Sequence, residues 1–94
     1  MATFFLFGKY SASSIKEISG KRTQAAAATV KKLGGELKSL YALLGEQDLV
    51  LIVELPGIAE AVKCSLALAR QSGIAFTTAP AIPVEQFDKL AAEL

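Results

Sequence analysis

Short, dense apolar runs alternate along this chain with longer stretches in which apolar residues recur every third or fourth position. Residues 3–10 read as a strand, with Phe4-Phe5-Leu6-Phe7 apolar on both faces, and Ser11-Ala12-Ser13-Ser14 breaks it. Ser14 and Glu17 have capping-box spacing, which predicts a helix over 14–33 with Ile15, Ile18, Ala26, Val30 and Leu33 on its face. Ser19-Gly20 is a point at which that helix can split, and Gly34-Gly35 ends it. A second strand is expected over 36–44, with Leu37, Tyr41 and Leu43 sharing a face, then a turn at Gly45-Glu46-Gln47 and a third strand over 48–55. Pro56 suits the first turn of a helix running to Ser72, with Ile58, Val62, Ser65, Leu66 and Ala69 on its face and Gly73 closing it. A fourth strand is expected over 74–82, at a sheet edge because of Pro80. Pro83 opens a last helix, with Val84, Phe87, Leu90, Ala91 and Leu94 on one side.

The order strand-helix-strand-strand-helix-strand, with right-handed crossovers, predicts one α+β domain over 1–94. It is of ferredoxin-like βαββαβ build, an antiparallel sheet ordered 4-1-3-2 with an added C-terminal helix. Strands one and three, the two that are apolar on both faces, take the centre. Strands two and four carry Glu36, Lys38, Thr77 and Pro80 and take the edges. Both helices of the repeat cover the same sheet face, so four or five large side chains remain on the other. Left wet, each would forfeit roughly 1.5–3 kcal/mol.

Composition sharpens that expectation. Of 94 residues 52% are apolar, and the mean hydropathy of +0.42 is high for so small a domain. No run approaches the ~20 residues of a spanning helix, so a membrane is not expected. The expected destination of the surplus is a second copy, giving a homodimer or a higher oligomer. Ten basic and nine acidic residues, net +1, offer no basic stripe for nucleic acid. The lone Cys64 cannot form an internal disulfide and fits a cytoplasmic setting. There is no histidine, which removes Ser-His and Cys-His nucleophile pairs and His-ligated metals; neither a metal nor a cofactor is expected.

Phe7-Gly8-Lys9-Tyr10, Leu33-Gly34-Gly35-Glu36-Leu37, Gly45-Glu46-Gln47-Asp48, Val53-Glu54-Leu55-Pro56 and Glu85-Gln86-Phe87-Asp88-Lys89 together resemble the GYD-domain family, in order and over nearly the whole chain. In the Gly-x-Tyr-Asp turn that names the family, Gly45 and Asp48 match and position 47 is glutamine. The resemblance implies a small bacterial protein of dimeric α/β-barrel type and no particular activity.

The topology nominates one ligand site. Because strand three runs back along strand one, Lys9 and Tyr10 should meet Gly45, Glu46 and Asp48, with Tyr41 lining the approach. A lysine, tyrosines and two acids beside helix amides could bind a small polar or anionic ligand. The same residues also have a plain structural reading, in which Asp48 caps the turn and Lys9 pairs with Glu46 or Asp48 at the surface. Glu54 could be a buried acid or a solvated strand end, Cys64 reads as an inert, half-buried small residue, and Arg22, Lys31 and Lys32 read as a solvated helix face. No catalytic residue is nominated. The pattern favours a homo-oligomeric module that binds a small molecule or partner. The alternative is a cofactor-independent dimeric α/β-barrel enzyme, an isomerase or oxygenase acting on a small hydrophobic metabolite.

Overall fold

A computed structural model of the chain describes residues 1–16 and 19–94. The elements follow as β1 (Ala2–Lys9), α1 (Ala12–Lys16), α2 (Gly20–Lys32), β2 (Glu36–Ala42), β3 (Leu49–Leu55), α3 (Ile58–Ser72), β4 (Ala75–Ala81) and α4 (Val84–Ala92). The four strands form one antiparallel sheet ordered β2-β3-β1-β4, the expected 4-1-3-2 arrangement of a ferredoxin-like fold. The two strands apolar on both faces are central, and Pro80 lies on an edge strand.

Register divides the sheet into two faces. Phe4, Leu6 and Gly8 stand opposite Val53, Leu51 and Leu49, and the five side chains other than glycine's form the core with Val30 of α2 and Ala61, Cys64 and Leu68 of α3. Phe5, Phe7, Val50 and Ile52 point the other way, and none of them belongs to that core. Burial of Leu6 and Leu51, at 0% and 2% exposure, contributes about 1.5–3 kcal/mol each.

Three expectations need correction. The first helix is two helices. Its start is three residues earlier than the Ser14–Glu17 pair implied, because Ser11 is the capping residue. The Ser14 amide donates to Ser11 Oγ (3.1 Å) and the Ser11 amide donates to Ser14 Oγ (2.6 Å), a capping box with serine in the place of glutamate. Glu17 and Ile18 lie outside the described residues. Ser19 then caps α2, accepting from the Arg22 amide.

At the far end of α2, the Gly35 amide donates to the Val30 carbonyl and the Gly34 amide to that of Lys31, the paired bonds of a Schellman ending. Gly35 is also forced by proximity: a Cβ there would sit 2.2 Å from the Glu54 carbonyl oxygen.

The second correction concerns β2, which ends at Ala42 and carries a bulge between Leu37 and Ser39. The extra residue changes the alternation. Leu37 and Leu40 therefore both pack on the core, while Tyr41 pairs with Val50 on the opposite face. Third, the face of α3 is rotated from the one expected. Ala61, Cys64, Leu68 and Ser72 are buried, and Ile58, Val62 and Leu66 are exposed. The sheet supplies the bulk here, so the residues that fit beneath the helix are mainly small ones. Pro56 precedes the capping residue Gly57 rather than entering the helix. The last helix has the expected apolar stripe, and it lies open in the single chain: α4 has no buried residue, and Val84, Phe87 and Leu90 are half or more exposed.

Among the described residues no helix is long and apolar enough to cross a membrane.

Candidate functional site

Beside the core lies a cavity of about 180 Å³, between the sheet and helices α2 and α3. Its inner wall is apolar: Leu40, Leu49 and Leu51 from the sheet, Leu68 from α3, and Ile74 and Phe76 around the start of β4. Such a wall follows from the register, since Leu49 and Leu51 face the helices. The floor of α2 is thin at this point because Ala26 is the residue that faces in. Polar groups gather at the rim, notably Tyr10, Arg22 and Gln71. Thr29 Oγ1 donates to Gln71 Oε1 at 2.8 Å, tying α2 to α3.

Arg22 is the residue that sequence reasoning misplaced. It is half-buried, not on a solvated helix face, and its Nη1 donates to the Ser14 carbonyl at 2.6 Å. Its guanidinium carbon stands 5.7 Å from the centroid of the Tyr10 ring, within cation–π range. The signal was present in the sequence. Arg22 lies four residues before Ala26 and eight before Val30, so it continues the inward stripe of α2 by one turn.

Of the six nominated site residues, Tyr10 lines the cavity, Tyr41 borders it on β2 with its side chain on the helix-free face beside Val50, and Lys9, Gly45, Glu46 and Asp48 form the loop region beside it. The expected meeting of strand-one end and turn is present. Lys9 Nζ donates to the Glu46 carbonyl at 2.9 Å, and the Tyr10 amide donates to Asp48 Oδ2 at 2.8 Å. The Asp48 amide donates in turn to the Gly8 carbonyl. Asp48 thus fastens the end of β1 rather than capping its own turn, and Lys9 binds a carbonyl rather than a carboxylate.

The other candidates are spread out. Glu54 lies on the helix-free face, paired in the ladder with Thr3 and Glu36. Cys64 is fully enclosed in the core, and burial raises its thiol pKa above the ordinary value, which keeps it protonated and unreactive. Among the described residues no group of acidic or cysteine side chains could hold a metal ion.

The profile of the GYD domain matches residues 4–91. The chain belongs to the GYD domain family. For this GYD domain the naming turn now has visible roles. Gly45 holds φ at +138°, where other residues are strained, and Asp48 anchors the strand before it.

Two solved structures share the fold. One is the leucine response regulatory protein of Mycobacterium tuberculosis, with a TM-score of 0.58, 12% identity, and coverage of 87% of this chain and 51% of that one. The other is an AsnC family transcriptional regulator from Agrobacterium tumefaciens, with a TM-score of 0.59, 19% identity, and coverage of 87% and 50%. The GYD domain spans about half the length of each. No curated protein matches the chain.

Proposed function

We propose that this GYD domain is a cytoplasmic, homodimeric module that holds a small molecule in the cavity between its sheet and α2/α3, binding without catalysis. The observation that carries the reading is the cavity itself: a half-open cleft with an apolar wall and a few polar groups gathered at one rim is the usual form of a small-molecule site. Binding is favoured over turnover because the chain has no histidine, the side chain best suited to carry protons near neutral pH. The fold shared with about half of a leucine response regulatory protein and of an AsnC family transcriptional regulator is consistent with a module whose work is to report a ligand.

The dimer rests on the helix-free face. Phe5, Phe7, Val50 and Ile52 form its centre, with the two Phe rings 6.3 Å apart. Charged residues sit at its ends, Lys9 at one and Glu54 at the other. A two-fold axis that runs the stacked strands antiparallel sets each Lys9 over the partner's acidic end, so the surface is complementary to itself.

The binding reading is tested with indole and benzene as probes, followed by ligand-observed NMR. Saturable binding is expected, and Ala26→Phe, which fills the cavity, should abolish it while the far-ultraviolet circular dichroism stays unchanged. Absence of saturable binding, or binding that survives Ala26→Phe, would sink the reading.

A further inference from the structure

The rim of the cavity carries more chemistry than an apolar ligand needs. Resting on the binding reading above, we infer that the ligand is a small anionic amphiphile, a carboxylate on a short apolar tail, whose carboxylate is received by Arg22. A guanidinium presents five N–H donors in a planar fork that matches a carboxylate. The structure commits one nitrogen of Arg22, Nη1, to the Ser14 carbonyl, and that bond holds the side chain at the rim without neutralising it. The Tyr10 ring, its centroid 5.7 Å from the guanidinium carbon, holds the group from a second direction. Among the described residues the one ion pair is Lys38–Glu36, on β2, and no described carboxylate pairs with Arg22. A guanidinium is also less strongly hydrated than an ammonium, so it can receive a carboxylate at a half-buried rim at modest desolvation cost.

The wall limits the tail. A cavity of about 180 Å³ is close to the ~150 Å³ that accommodates a benzene molecule, so roughly six carbon atoms fill it. Leu51, Leu68, Ile74 and Phe76 give that tail only apolar contacts. A longer acid must leave part of its chain in water.

The test uses hexanoate, hexanol and hexylamine, three probes with one tail and different heads, titrated by isothermal calorimetry against the wild-type chain, Arg22→Gln and Arg22→Lys. Hexanoate should bind at least about tenfold more tightly than hexanol, the ratio that one charge-assisted hydrogen bond supplies, and hexylamine should bind most weakly. Arg22→Gln should bring hexanoate down to the level of hexanol and leave hexanol unchanged. Arg22→Lys, which keeps the charge and loses the fork, should fall between. Circular dichroism of both variants checks that α2 has folded.

If hexanol binds as tightly as hexanoate and Arg22→Gln weakens both alike, the carboxylate inference fails while the cavity remains a binding site. If none of the three binds and the amide resonances of Ala26, Leu51, Leu68 and Ile74 stay fixed, the inference falls together with the reading on which it rests.

Discussion

Leu51 and Ile52 are neighbours on one strand, equally apolar, and their surroundings differ completely. Leu51 faces α2 and α3 and is buried in the core; Ile52 faces away from every helix of the βαββαβ unit and stays partly exposed. The same contrast divides Leu6 from Phe7 on β1. Strand chemistry is alike on the two sides, so the difference comes from the connections. Right-handed crossovers place both helices on one side of the sheet, and the sequence has equipped the other side for a cover that a single chain does not provide. One side holds the domain together and encloses the cavity; the other is available for assembly.

A charge on the open side breaks the comparison most sharply. Phe7→Glu puts a carboxylate in the middle of the proposed interface, where an unpaired charge costs several kcal/mol, yet it leaves the helix-side core untouched. Light scattering should show the wild-type chain at twice its 9.9-kDa mass and the variant at the single-chain mass, with an unchanged circular dichroism spectrum. A wild-type chain that is monomeric at micromolar concentration would remove the dimer.

The next effect compares the neighbours directly. Leu51→Ala should cost about 3 kcal/mol in urea denaturation, a cavity-forming loss in a closed core. It should do so without altering how the unfolding midpoint depends on protein concentration. Ile52→Ala should cost about 1 kcal/mol at high dilution, and more as concentration rises, because in the proposed dimer its contacts are made with the second copy. Equal costs at every concentration would mean that the two faces are equivalent and that the open one is merely surface.

The same contrast explains what could be read from the sequence. Phe4-Phe5-Leu6-Phe7 and residues 49–53 announce central strands because unbroken apolar residues suit a strand that is apolar on both faces. Leu33-Gly34-Gly35 likewise announces the end of α2. The bulge in β2 left no mark, since one extra residue near Lys38 changes which side chains face the core without changing composition. The face of α3 misled because Ile58, Val62 and Leu66 are the larger residues at helical spacing, whereas the sheet below accepts Ala61 and Cys64. In the candidate site, the loop neighbours were legible from strand order alone. The cavity was not, because it depends on how far α2 stands from the sheet, and that is set by side-chain volumes on three elements together.

The smallest expected effects lie at the junction of the two regions, where Lys9 and Asp48 tie the end of β1 to the family turn. Asp48→Asn keeps an oxygen for the Tyr10 amide but loses the charge that strengthens the bond, so a loss of about 1 kcal/mol is expected. Lys9→Ala removes an exposed bond to a carbonyl and should move stability by less than about 1 kcal/mol. Chemical denaturation of the two single variants and the double variant measures both terms, and hexanoate titration of the same proteins asks what the loop does for the cavity. Tyr10 connects them: its amide is held by Asp48 and its ring by Arg22. Asp48→Asn should therefore weaken hexanoate binding modestly through Tyr10, and Lys9→Ala, which touches neither Tyr10 nor Arg22, should leave it unchanged. A collapse of binding in Lys9→Ala would move the anion's partner from Arg22 to Lys9 and shift the site from the cavity rim to the turn.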